Sequence, residues 1–245
     1  MTQSRQIVDA RVADLVQAGR VRVALHIPQY KKDAATGALS GWPIDLIAAL
    51  GARIGVQGVP VEHPNPADAL TSVASGSCDC GIIGIEAERA TKIDYSPPLV
   101  EADYTLLARP GFPYQSIADA DRAGVRIAAV RHHASTIALG KIIKHASFVY
   151  AHMPEPTFQI LQRGEADLFA SLHEMLRHYV ARLPGSRIWA GRYGFNSLGF
   201  SVPKGQATRL GFLSEFAAHA KASGIVQKAI ERSGWSGIRV APPAR

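Results

Sequence analysis

The sequence predicts an α/β protein with a mostly parallel sheet, and three observations support this. Short apolar runs alternate with helical patterns, the alternation is interrupted by two extended segments, and the composition suits a sizeable core. Residues 22–27 read as the first strand, and a helix over 42–54 follows Ser40-Gly41. Next come a strand over 59–62, a helix over 66–75 and a strand over 78–85, in which Cys80 to Ile85 are all small or apolar. Residues 104–108 form an extended crossing segment. A second strand and helix series then begins at 125–130 and runs to 186–190, with helices expected over 137–143 and 174–181. A return crossing at 198–202 leads to an amphipathic segment over 207–232, and Ala241-Pro242-Pro243 reads as a loose end. The chain shows no internal sequence repeat and no low-complexity tract.

With 245 residues, 47% of them hydrophobic, the chain can bury a core as one large domain or as two lobes. It has no apolar run of about 18 residues, so no membrane span is expected. The formal charge is +7, from 27 basic and 20 acidic residues. The basic groups (Lys31-Lys32, Arg131-His132-His133, residues 141–144) are short and scattered and have no interleaved aromatics. That pattern argues against nucleic acid and for a solvated basic surface that attracts small anions. Cys78 and Cys80, two apart in one expected strand, share a face and are too far apart to bridge, so they read as core residues. No His-Glu-x-x-His or Cys-x-x-Cys spacing, phosphate loop or dinucleotide fingerprint occurs, so neither metal nor cofactor is expected.

The most informative stretch is Cys78 to Ser96. A buried strand leaves the sheet at residues 86–89, which places Arg89 at a rim. There its planar fork of donors suits a carboxylate, so an anionic ligand is expected.

This stretch resembles the extracellular solute-binding proteins of ABC importers, family 3, which have the type II periplasmic binding protein fold. The resemblance rests on Asp79 at the strand start, on Glu86 to Arg89 in place of Thr-x-x-Arg, and on Ile93-Asp94-Tyr95-Ser96. It extends to residues 15–25 and to Gly41-Trp42-Pro43-Ile44-Asp45-Leu46 upstream, and to residues 117–130, 161–167 and 223–235 downstream. Nearly the whole chain is covered, in order.

The resemblance implies two lobes, 1–107 plus 201–245 and 108–200, joined by two crossing strands that hinge near Arg109 and Phe200 and close on a small anionic or zwitterionic ligand. On the first lobe Arg89 would clamp a carboxylate, with backbone groups of Gly84 and Ile85 beside it. The other reading of Arg89 is an ion pair with Asp94 or Glu88. Glu86 would recognise a cation or pair with the arginine. Tyr30 and Trp42 would form an apolar wall, although Trp42 more often packs the turn in this family.

On the second lobe Ser135 and Thr136 would grip the other side of the carboxylate. His133 stands where the family has glycine, which calls for positive φ there or else points a ring into the cleft. The acid that neutralises an ammonium in the amino-acid binders falls near Leu172 or His173, with Glu174 the nearest carboxylate; a leucine there points to a ligand without an α-amine, and the expected ligand is an amino acid or a deaminated organic acid. The rival readings are a cyclohexadienyl dehydratase-like lyase with Glu174 as general acid and a ligand sensor for a membrane partner. A monomer that meets an ABC importer membrane subunit is expected. The first 18 residues lack the apolar core of a secretory signal. Since the family works outside the cytoplasmic membrane, a periplasmic location with the signal removed is expected, a cytoplasmic one being the alternative.

Overall fold

In the computed structural model, residues 9–243 are described. The N-terminal eight residues of the expected first lobe, and its last two, lie outside them. The chain divides into two units. One holds the residues up to Glu101, Ser197–Trp235 and those from Arg239 onward; the other holds Ala102–Asn196 and Ser236–Ile238.

In the first unit the strand Arg20–His26 lies between Gln57–His63 and Cys80–Gly84, parallel to both. The return strand Gly194–Pro203 adds antiparallel to Cys80–Gly84 and to Ile93–Tyr95. All five residues of Cys80–Gly84 are buried, as an apolar central strand requires. The helix Trp42–Ile54 runs between Gly41 and the left-handed Gly55, with a proline in its first turn. It packs on Gln57–His63 through a close glycine approach: a Cβ on Gly58 would lie 2.2 Å from the Ile47 carbonyl oxygen, and one on Gly51 2.4 Å from the Gly58 nitrogen. Because both obstacles are backbone, Gly58→Ala is expected to destabilise the protein by about 1–3 kcal/mol, read as a lower urea midpoint.

The second unit repeats the plan with a sheet ordered Val100–Ala108, Leu168–Leu172, Arg126–Val130, Ser147–Ala151. Alternate residues face opposite sides, so the sheet feeds two cores. Leu106, Ile127, Leu168 and Ala170 pack with Leu139 and Trp189, while Leu107, Ala128 and Phe169 pack with Phe158, Leu176 and Tyr179.

A shared latch closes the base of each unit. Asp79 accepts the Arg22 amide at 2.7 Å and pairs with its guanidinium at 2.9 Å, and that guanidinium also reaches the Gly76 carbonyl. Asp167 accepts the Arg126 amide at 3.0 Å and pairs with Arg109 at 2.9 Å, while Arg126 reaches the Gly164 carbonyl. Both carboxyls are held below their ordinary range by these bonds, which outweigh the opposing effect of burial. The chain has no sequence repeat by inspection, yet Val-Arg followed by Gly-x-x-Asp occurs in both halves.

Several expectations are corrected. The strand over 78–85 starts at Cys80; Cys78 precedes it, sits in the core under the helix Pro66–Ala74, and accepts a bond from Ser72 Oγ at 3.0 Å. The amphipathic segment over 207–232 is two helices, Ala207–Ala222 and Ile225–Ser233, because Gly224 takes a left-handed φ of 77° and ends the first. The helix expected over 137–143 is Ala134–Gly140, and the one over 174–181 is His173–Val180. The two units part after Glu101 and after Asn196. Arg109 is tied by its ion pair to Asp167, within the second unit.

The C-terminus also crosses. Ile238–Val240 pairs with Val100–Ala108, Asp103 N donates to the Gly237 carbonyl at 2.7 Å, and Arg239 pairs with Glu101. Ala241 is no loose end: it is buried, and its amide donates to Leu99 at 3.0 Å.

Candidate functional site

In the first unit the sheet brings a charged and polar group to the carboxyl ends of its parallel strands, the place where open α/β sheets bind ligands. Arg89 lies five residues past Gly84, in the single turn Arg89–Thr91, with 20% of its side chain exposed. Its guanidinium donates to the Gly84 carbonyl at 3.2 Å and pairs with Glu86 at 3.2 Å. The arginine's partner is therefore neither Glu88 nor Asp94. Asp94 instead pairs with Lys204 at 2.6 Å and accepts the Gly205 amide at 2.7 Å.

Tyr95 donates its hydroxyl to the same Gly84 carbonyl at 2.9 Å, and burial pushes the phenol up to about 12. Ile85 donates its amide to Ser197 at 2.8 Å. Of the backbone groups of Gly84 and Ile85 expected beside a ligand, Gly84 O and Ile85 N already serve to hold the arginine and the strand end. Tyr30 is 8% exposed, its phenol raised by burial. Trp42 is 1% exposed and packs the turn, so its ring has no free face to offer as a wall.

Two residues that sequence reading passed over stand at the same strand ends. His26 closes Arg20–His26, and its register partner His63 closes Gln57–His63. The His26 ring is fixed by its neighbours. Nδ1 lies 2.9 Å from the Ile27 carbonyl, which can only accept, so Nδ1 carries the proton and Nε2 is an acceptor. Gln29 braces the strand end, accepting the His26 amide at 2.9 Å and donating to Ile82 O at 2.8 Å. Burial lowers the His26 imidazole to about 4; the hydrogen bond to Ile27 opposes this, and the charges of Arg89 and His63 add to it.

In the second unit the loop at 131–133 opens the helix Ala134–Gly140. The expected positive φ falls on His132, at 61°, not on His133, which is extended at −73°. His133 is the helix cap: its Nδ1 accepts the Ser135 amide at 3.2 Å and lies 2.7 Å from Ser135 Oγ. Thr136 Oγ1 donates to the Val130 carbonyl at 2.8 Å. The two hydroxyls and the His133 ring are therefore engaged in starting the helix, and Ser135 is 1% exposed.

Leu172 caps the helix His173–Val180, and Glu174 in its first turn pairs with Arg177 at 3.6 Å. His173 lies beneath the C-terminal segment, with its Nδ1 3.4 Å from Ser236 Oγ; a Cβ on Gly237 would approach its Cβ to 2.4 Å. Burial lowers the His173 imidazole, with Arg177 adding to the effect and Asp103 opposing it. Gly237 holds a φ of 70° there, a conformation and a closeness that suit glycine.

Among the described residues no group of three His, Cys, Asp or Glu is placed to hold a metal, and no helix is long and apolar enough to cross a membrane. Both cysteines are free and buried, with burial raising each thiol.

Solved structures resemble the chain in fold. One described as a binding component of an ABC transporter from Wolinella succinogenes DSM 1740, complexed with lysine, is 21% identical with a TM-score of 0.71, over 88% of this chain and 95% of that one. An ancestral amino acid-binding protein, a precursor of cyclohexadienyl dehydratase, is 23% identical with a TM-score of 0.69, over 91% and 98%. A solute receptor for L-cysteine of Neisseria gonorrhoeae is 19% identical with a TM-score of 0.69, over 91% and 92%. No match is found among curated proteins. A family model, bacterial extracellular solute-binding proteins, family 3, matches residues 20–235, and the chain belongs to that family.

Proposed function

We propose that the chain binds a small carboxylate-bearing solute, an amino acid or its deaminated analogue, and delivers it to an ABC importer membrane subunit outside the cytoplasmic membrane. The observation that carries this reading is Arg89: a guanidinium one-fifth exposed at the carboxyl end of a buried strand, braced by Glu86 and by the Gly84 carbonyl. Family membership supports it, since the match spans both units. In this reading the ligand carboxylate meets the Arg89 guanidinium beside its contacts with Glu86 and the Gly84 carbonyl.

The test is thermal shift against amino acids, deaminated carboxylates, aromatic acids and prephenate, with the prephenate wells checked for product. A rise of several degrees with one carboxylate class and no turnover supports a binding protein. No shift with any carboxylate overturns the reading, and turnover would assign the site to a lyase and turn attention to Glu174.

A further inference from the structure

The His26 ring has a polar atom that the fold itself does not use. Nδ1–H is committed to the Ile27 carbonyl at 2.9 Å, and Nε2 is buried with no hydrogen-bond partner among the described residues. The residue is only 8% exposed. An orphaned buried acceptor lowers stability, and such groups in native proteins call for an explanation. Its location supplies one. His26 ends the central parallel strand, between the strand ending at Gly84, on which Arg89 is braced, and the strand ending at His63. His63 Nε2 is likewise buried with no partner among the described residues. Arg89 is braced on the Gly84 carbonyl, and the strand that Gly84 ends is the parallel neighbour of the strand that His26 ends.

We infer that His26 is the specificity-determining acceptor of this site: its Nε2 takes a hydrogen bond from an N–H or O–H of the ligand, selecting carboxylates that carry a donor over donor-free analogues. This rests on the proposed carboxylate site at Arg89. The tautomer makes the selection one-sided. A neutral imidazole whose only N–H is already bound cannot donate to a second carboxylate oxygen, and a CH group in the same place would leave the acceptor unsatisfied.

The test is calorimetric titration of the wild type, His26→Phe and His26→Gln with two series that differ only at C2. One is L-phenylalanine, L-3-phenyllactate and 3-phenylpropionate; the other is L-arginine and 5-guanidinopentanoate. The wild type should bind a donor-bearing member at least tenfold tighter than its donor-free counterpart. His26→Phe should shrink that ratio to within twofold, and His26→Gln, which keeps an acceptor oxygen, should restore part of it. A ratio unchanged in His26→Phe, or absent in the wild type, overturns the inference and leaves the carboxylate site standing. Failure of every probe to bind overturns the carboxylate reading and this inference with it. Should His26→Phe fail to fold, the Nε2 chemical shift of His26 in the wild type reads the same contact: it should move with the donor-bearing probe alone, and a static shift refutes the inference.

Discussion

Replacing Arg89 with alanine should weaken ligand binding by about 2–4 kcal/mol, roughly thirtyfold to a thousandfold in Kd. The guanidinium is held on one side by Glu86 and the Gly84 carbonyl, so little side-chain entropy remains to be lost when a carboxylate arrives. Alanine removes this fork and leaves the Glu86 carboxylate without its cation, adding repulsion to the lost attraction. Arg89→Lys should fall between the two, because an ammonium keeps the charge but not the two parallel donors. Calorimetry with the best carboxylate from the thermal-shift panel measures both. A change under threefold for alanine, in protein that melts normally, would place the anion site elsewhere.

Lowering the pH should reveal the cost of burying His26. Its folded imidazole titrates near 4, below the ordinary value of 6.5, so between those limits the unfolded chain binds the proton and the folded chain does not. Stability is therefore complete above about pH 6.5 and declines as the pH falls toward 4, by about 3 kcal/mol from this residue. The groups acting on the ring are the Ile27 carbonyl, which resists the shift, and Arg89 and His63, which add to burial. Urea unfolding at pH 7, 5.5 and 4 should show the wild type losing about 3 kcal/mol more than His26→Phe, which keeps an aromatic ring without the titration. Parallel losses in the two proteins would mean that the imidazole is charged or solvated in the folded state.

What could be read from the sequence follows physical range. The helix Trp42–Ile54 was legible to the residue because glycines bracket it, and the buried strand before Arg89 because five consecutive small or apolar residues admit little else. The break at Gly224 was hidden, since the apolar period runs through it and only the left-handed φ ends the helix. The arginine was legible and its partner only as a set of alternatives: Glu86 and Glu88 precede it by three positions and one, Asp94 follows, and the turn chooses Glu86. His26 and His63 are not legible as a pair because each is a lone histidine at the end of its strand, and only the strand register makes them neighbours. Ser236–Ile238 was missed because three small or apolar residues carry no pattern, although Gly237 is what lets the chain pass so close to His173. The Val-Arg and Gly-x-x-Asp latch is shared in residue identity, but its arginine and glycine stand 54 positions apart in the first half and 38 in the second, so no fixed period reveals it.

The nesting of one unit inside the other sets an order of synthesis. Cys80–Gly84 pairs with the return strand, and the Ser201 hydroxyl that reaches the Gly81 carbonyl is 120 positions later in the chain. At ~5–20 residues per second on the ribosome, about 6–24 s pass before that partner emerges. Meanwhile all of Ala102–Asn196 is made. Its folding draws the ends of the intervening loop together and reduces the entropy lost when the first sheet closes. The half of the protein that is made first is the last to be finished, and its wholly apolar strand is left as an open edge for as long as the wait lasts.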